Sequence, residues 1–117
     1  MNDRDRAMKE NENARAFEMS SSRHRNCCRL NAGSSEAHET LKATVCYHIL
    51  KKGHCFLTEA IVEKSRKRCD VVDISAGICY EILYSEEAES IKQKRAEYPF
   101  FIIVVEVGKP LPKELIG

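Results

Sequence analysis

The sequence predicts an α/β fold: a mixed four-stranded sheet flanked by helices, in the order helix, three strands, helix, strand. Three observations predict it. FFIIVVEV, Phe100 to Val107, is almost continuously apolar, as an inner strand covered on both faces would be. RCDVVDISAGICYEILYS, Arg68 to Ser85, sets two short β-branched runs around a Ser-Ala-Gly turn signal, which reads as a hairpin. A helix-period stretch lies between that hairpin and the apolar run, so the third and fourth strands can be joined by a crossover and run parallel.

The elements follow in order. Residues 1–34 are rich in Asn, Ser, Arg and Glu, with scattered apolar positions. They are expected to form a flexible or partly helical segment, with a frayed helix over 3–18 and a loop over 20–35. The domain proper is placed at 35–117. A helix is predicted from Ser35, its cap, to Lys52, with Ala37, Leu41, Val45 and Ile49 near one face and Gly53 as the stop. Strands are predicted at 54–62, 69–75 and 78–84. In the first, Phe56, Thr58, Ala60 and Val62 share one side, and Cys55, Leu57, Glu59 and Ile61 share the other. A second helix starts at the cap Ser85, with Glu86, Glu87 and Glu89 in its first turns, and ends before Pro99. After Val107, Gly108, Pro110 and Pro112 end the last strand. Leu111, Leu115 and Ile116 form an exposed apolar end.

Bulk properties narrow the function classes. Nineteen basic and eighteen acidic residues give a net charge of +1, so there is no general drive toward nucleic acid, although a local basic patch is compatible with it. Trp is absent and aromatics are 7%, which signals no broad stacking surface. No apolar run is long enough to span a membrane and the first residues do not resemble a signal peptide, so an intracellular protein is expected. The six cysteines include no CxxC pair. Four lie in apolar contexts, where a reduced cysteine is a small hydrophobe. His24, Cys27 and Cys28 come nearest to a metal cluster, but no second ligand pair follows at finger spacing.

The carboxylates carry more chemistry. A hairpin over 69–84 brings Asp70 near Glu81, and two acids held close repel unless a cation joins them. Glu59 is flanked by apolar residues on its own face and needs a partner or a cation. Oxygen ligands of this kind suit Mg2+ or Mn2+. The competing reading has Asp70 and Asp73 facing water at a strand edge. EKSRKRC follows the first strand, and its Lys64, Arg66, Lys67 and Arg68 are candidate nucleic-acid contacts; a solvated turn reads the same way.

The order of elements over about 36–107, with RCDVV and CYEILYS in it, resembles the PD-(D/E)XK nuclease superfamily. That superfamily includes restriction endonucleases and Holliday junction resolvases, and EILYS is similar to the E-x-Q-x-S pattern of its competence-protein type. The resemblance implies a restriction-endonuclease-like core and a metal-dependent endonuclease acting on DNA, with Mg2+ or Mn2+ held by Asp70 and Glu81; Glu59 has no fixed family counterpart and joins them as a metal candidate from its place on the first strand. It implies Glu39 as the first-helix acid, and a homodimer of intracellular, archaeal or viral origin. The chain departs from the pattern at Leu83, where the family has Lys or Gln. Either the lysine has moved to the following helix, where Lys92 and Lys94 are available and Lys94 is the candidate, or the domain binds nucleic acid without cutting it. A third reading is an unrelated small domain that packs by FFIIVVEV against a partner.

Overall fold

The computed structural model describes residues 2–18, 24–84 and 98–116. The helix predicted between Ser85 and Pro99, and with it Lys92 and Lys94, lies outside the described residues but for its last position. The elements are α1 (Asp3–Ala14), α2 (Glu36–Lys51), β1 (Phe56–Ile61), β2 (Arg68–Asp73), β3 (Ile78–Leu83), β4 (Phe101–Glu106) and a short α3 (Lys113–Ile116). The strands form one mixed sheet in the order β1-β2-β3-β4. β1, β2 and β3 are antiparallel neighbours, and β4 runs parallel to β3.

Local chemistry sets the ends of these elements. The Ser35 hydroxyl accepts from the His38 N–H at 3.1 Å and caps α2. Gly53, at φ 76°, closes the helix by donating to the Leu50 carbonyl at 2.8 Å. In the β2–β3 turn the Asp73 carboxylate accepts from the N–H groups of Ser75 at 3.0 Å and Ala76 at 2.9 Å. Gly77 follows with φ 73°, a conformation that costs a residue without Cβ little.

Two apolar layers cover the sheet. One joins Ala14 and Phe17 to Leu57, Ala60, Val62, Cys69, Val72, Cys79 and Ile102. The other joins Val45, Cys46 and Ile49 of α2 to Phe56, Val71, Tyr80, Ile82, Val105 and Leu115. Leu115 is therefore buried rather than exposed, because α3 folds over the second layer, while Ile116 remains open.

The described N-terminal residues carry the helix expected over 3–18, as α1, and pack on the sheet. Phe17 bridges to Val62 and is 2% exposed. The Asn13 side chain donates to the Ile74 carbonyl at 2.7 Å, and the Ser75 hydroxyl donates to Glu10 at 2.7 Å. Farther on, residues 26–29 run along the outer edge of β1. Asn26 exchanges bonds with Phe56, the Thr58 hydroxyl donates to the Cys27 carbonyl, and the Arg29 N–H donates to the Thr58 hydroxyl. The polar side chains that looked like disorder supply these bonds.

Candidate functional site

A break in strand alternation builds the site. Along β1, Leu57 and Ala60 share the α1-side layer although they are three residues apart. Along β2, Cys69 and Val72 do the same. Regular strands alternate every residue, so each must be irregular in between. The irregular positions are Glu59, with φ 51°, and Asp70. They lie opposite each other, since the flanking pairs are Thr58↔Val71 and Ala60↔Cys69. The predicted assignment of Ala60 with Phe56 fails for this reason, and positive φ at a glutamate leaves no mark in the sequence.

Both acids thereby reach the α2 side. Lys42 of α2 has no solvent exposure, and its Nζ lies 2.6 Å from Glu59 Oε1 and 2.6 Å from Glu39 Oε1. It also donates to the Arg29 carbonyl at 2.8 Å. Glu39 accepts from the Asn31 N–H at 2.5 Å, and its second oxygen lies 2.6 Å from His38 Nδ1. The other His38 nitrogen, Nε2, lies 3.7 Å from Asp70 Oδ2. Asp70 Oδ2 in turn accepts from the Ile82 N–H at 2.8 Å. Arg68 Nη1 completes the chain, 3.3 Å from Glu59 Oε2. A continuous network thus links Asp70, His38, Glu39, Lys42, Glu59 and Arg68.

Burial would raise the pKa of Glu39, but the Lys42 ammonium and the bonds from Asn31 and His38 outweigh it and hold it at about 2. Burial would likewise lower that of Lys42; its bonds to Glu39 and Glu59 raise it instead. The cluster is therefore fully ionised near neutral pH at these two members.

Glu81 takes the other side. Tyr80 and Ile82 belong to the α2-side layer and Cys79 to the opposite one, so alternation places Glu81 with Cys79. Tyr98 lies in that same layer, and burial and the neighbouring Glu81 push its hydroxyl well above the usual tyrosine range. The side-by-side arrangement expected of Asp70 and Glu81 is not what the structure has. Their strands are paired, but the β2–β3 ladder stops at Val71↔Tyr80, and the Asp70 carboxylate takes over the next backbone bond. Leu83 packs against the same layer as Cys79.

The predicted residues thus divide. Asp70, Glu39, Glu59 and Arg68 come together. Glu81 lies across the sheet from them. Arg66 pairs with Glu18, and Lys64 is exposed. Among the described residues, no three His, Cys, Asp or Glu side chains stand ready around one metal ion. Asp70, Glu39 and Glu59 offer the oxygen atoms Mg2+ or Mn2+ prefers, but cationic or hydrogen-bonding neighbours already engage each of them.

Lys42 and His38 are the members that sequence reasoning missed. A signal existed: Glu39, Lys42, Cys46 and Ile49 fall on one helical stripe, so the buried face of α2 continues into charged residues. An open cleft of about 430 Å³ adjoins the network, lined among others by Arg29, Asn31, Glu59 and Arg68. Comparison with protein-family models, with curated proteins and with solved structures gives no match.

Proposed function

We propose that the chain is a metal-dependent nuclease built on a restriction-endonuclease-like core and acting on DNA phosphodiester bonds. The observation that carries the reading is His38, which stands between Glu39 and Asp70. These two acids are 31 residues apart in sequence, and the family resemblance assigns both to one site. Strand order and direction in the sheet are also compatible with such a core.

Asp70, with Glu39 and Glu59 beside it, would hold Mg2+ or Mn2+. When bound, such an ion neutralises charge developing on the phosphodiester and supplies an activated water. The chain's own residues do the rest. His38 orients Asp70 and Glu39, Lys42 keeps Glu39 ionised and holds Glu59 in place, and Arg68 offers its guanidinium to the phosphate side. Glu81 supports the site from behind the sheet, beside Tyr98. Two such sites in a homodimer would serve to cut both strands.

A second reading is favoured by the position of Lys42. Its ammonium already fills the space between Glu39 and Glu59, and Leu83 has no polar group to give. On that reading the domain binds nucleic acid and does not cut it.

The test is cleavage of single-stranded, duplex, flap and four-way-junction DNA with Mg2+ or Mn2+, wild type beside Asp70→Ala, Glu39→Gln, Glu81→Ala and Lys94→Ala. The nuclease reading expects metal-stimulated cleavage that Asp70→Ala and Glu39→Gln abolish. Cleavage that survives Asp70→Ala would sink it. No cleavage by wild type, with binding retained, moves the reading to the non-cutting relative.

A further inference from the structure

Two guanidinium groups stand on the rim of the 430 Å³ cleft beside Glu59. Arg29 comes from the segment before α2, and Arg68 from the start of β2. Arg29 is tethered: its Nη2 donates to the carbonyls of Thr58 at 2.9 Å and Glu59 at 3.3 Å, and its backbone N–H donates to the Thr58 hydroxyl at 3.0 Å. All three acceptors are neutral. Among the described residues Arg29 has no carboxylate within ion-pair distance. Arg68 is 58% exposed at its side chain and rests on Glu59 Oε2. Glu59 gives its other oxygen to Lys42.

Among the described residues the rim holds two guanidinium groups and one carboxylate, and the buried ammonium below is shared between that carboxylate and Glu39. The rim therefore carries one net positive charge from these residues, although the chain as a whole is nearly neutral. Its two cations have planar forks that fit phosphate oxygens, and the tethering of Arg29 reduces the side-chain entropy lost on binding. Lys64, Arg66 and Lys67 do not line it.

We propose that this cleft binds the backbone phosphates of a nucleic-acid strand, with Arg29 and Arg68 as its two clamps. The nature of the polyanion rests on the reading of function above. The clamps direct a strand across the Glu59 end of the acid network, and they move the main contact from the basic turn to a residue in the N-terminal segment.

The test is fluorescence anisotropy of labelled duplex and single-stranded DNA with the full chain in metal-free buffer containing EDTA, over a range of sodium chloride concentrations. Removing one phosphate contact should lower the slope of log affinity against log salt by about 0.9 on duplex, and weaken binding about fivefold near 0.15 M salt. Arg29→Ala and Arg68→Ala should each do so. Lys109→Ala, at the far end of β4, should bind like wild type, and Arg29→Lys should retain most of the affinity. Arg29→Ala also removes the tether to β1, so Arg68→Ala, whose exposed side chain pairs with Glu59, is the cleaner probe.

Wild-type affinity in both alanine variants would overturn the proposal. So would an absence of DNA binding by wild type. The two readings fail separately. Binding through Arg29 and Arg68 without any cleavage leaves the cleft standing and removes hydrolysis; metal-dependent cleavage with both variants binding normally does the reverse.

Discussion

Lys42 donates from the interior of α2 to Glu59 on β1 at 2.6 Å, and no part of the lysine reaches solvent. An ammonium without hydration is tolerated only when its partners are close and several. Here they are two carboxylates and the Arg29 carbonyl. Removing the lysine would leave two acids facing each other in a nearly dry space.

Lys42→Met should therefore destabilise the protein by about 3–5 kcal/mol, read as a shift in the urea midpoint at constant slope. Adding Glu39→Gln and Glu59→Gln to the same chain should restore a large part of the loss, because neutral amides do not repel. A triple variant no more stable than Lys42→Met would show that the lysine acts through packing alone.

Stability should fall in acid because of Glu39. Its pKa is lowered on folding from 4.5 to about 2, so the folded state binds the proton less readily than the unfolded one. The contribution is complete above the unfolded value and is lost as pH drops through the folded one. Urea midpoints measured between pH 5 and pH 2 should decline, and Glu39→Gln should flatten that decline. A variant with the same slope as wild type would assign the acid limb to other carboxylates.

Asp70 has a structural role that can be separated from any chemical one. Its carboxylate accepts the Ile82 N–H where the sheet ladder is interrupted. Asp70→Ala should cost about 1–3 kcal/mol, the usual penalty for an orphaned buried donor. Asp70→Asn keeps an oxygen for that bond and should cost less. If the nuclease reading holds, Asp70→Asn should still lose cleavage while melting close to wild type in a circular dichroism scan.

Phe17→Ala should destabilise the chain by about 3–5 kcal/mol, as truncation of a buried aromatic does. The ring is 2% exposed and stacks edge-on against Phe100, with centroids 5.5 Å apart. A change under 1 kcal/mol would show that residues 2–18 are dispensable to the core.

The sequence made the scaffold legible because each signal there is local. Gly53 and Ser35 mark α2, Gly77 marks the hairpin, and the apolar run marks β4; all four strands fall within two residues of their predicted ends. The site was half legible. Asp70, Glu39, Glu59 and Arg68 were identifiable as acids or bases on the right elements. Their grouping was not, because it depends on Glu59 at positive φ and on a carboxylate replacing a backbone acceptor at Asp70. Period-two reasoning assumes neither event, and so it put Glu81 beside Asp70. The N-terminal helix was legible, but the attachment of these residues to the sheet was not, because composition counts polar side chains as solvated, whereas Asn13, Asn26 and Arg29 spend theirs on backbone groups of the sheet.

That last use of polar side chains has a consequence for how the sheet can grow. Residues 26–29 occupy the outer rim of β1 with bonds that no incoming strand can displace cheaply. β4 is the opposite rim, and among the described residues its backbone pairs only toward β3. Among the described residues, a strand added by another chain therefore has one place to join. Extension of the sheet through these residues is one-sided, which favours a closed pair of chains over an open-ended stack.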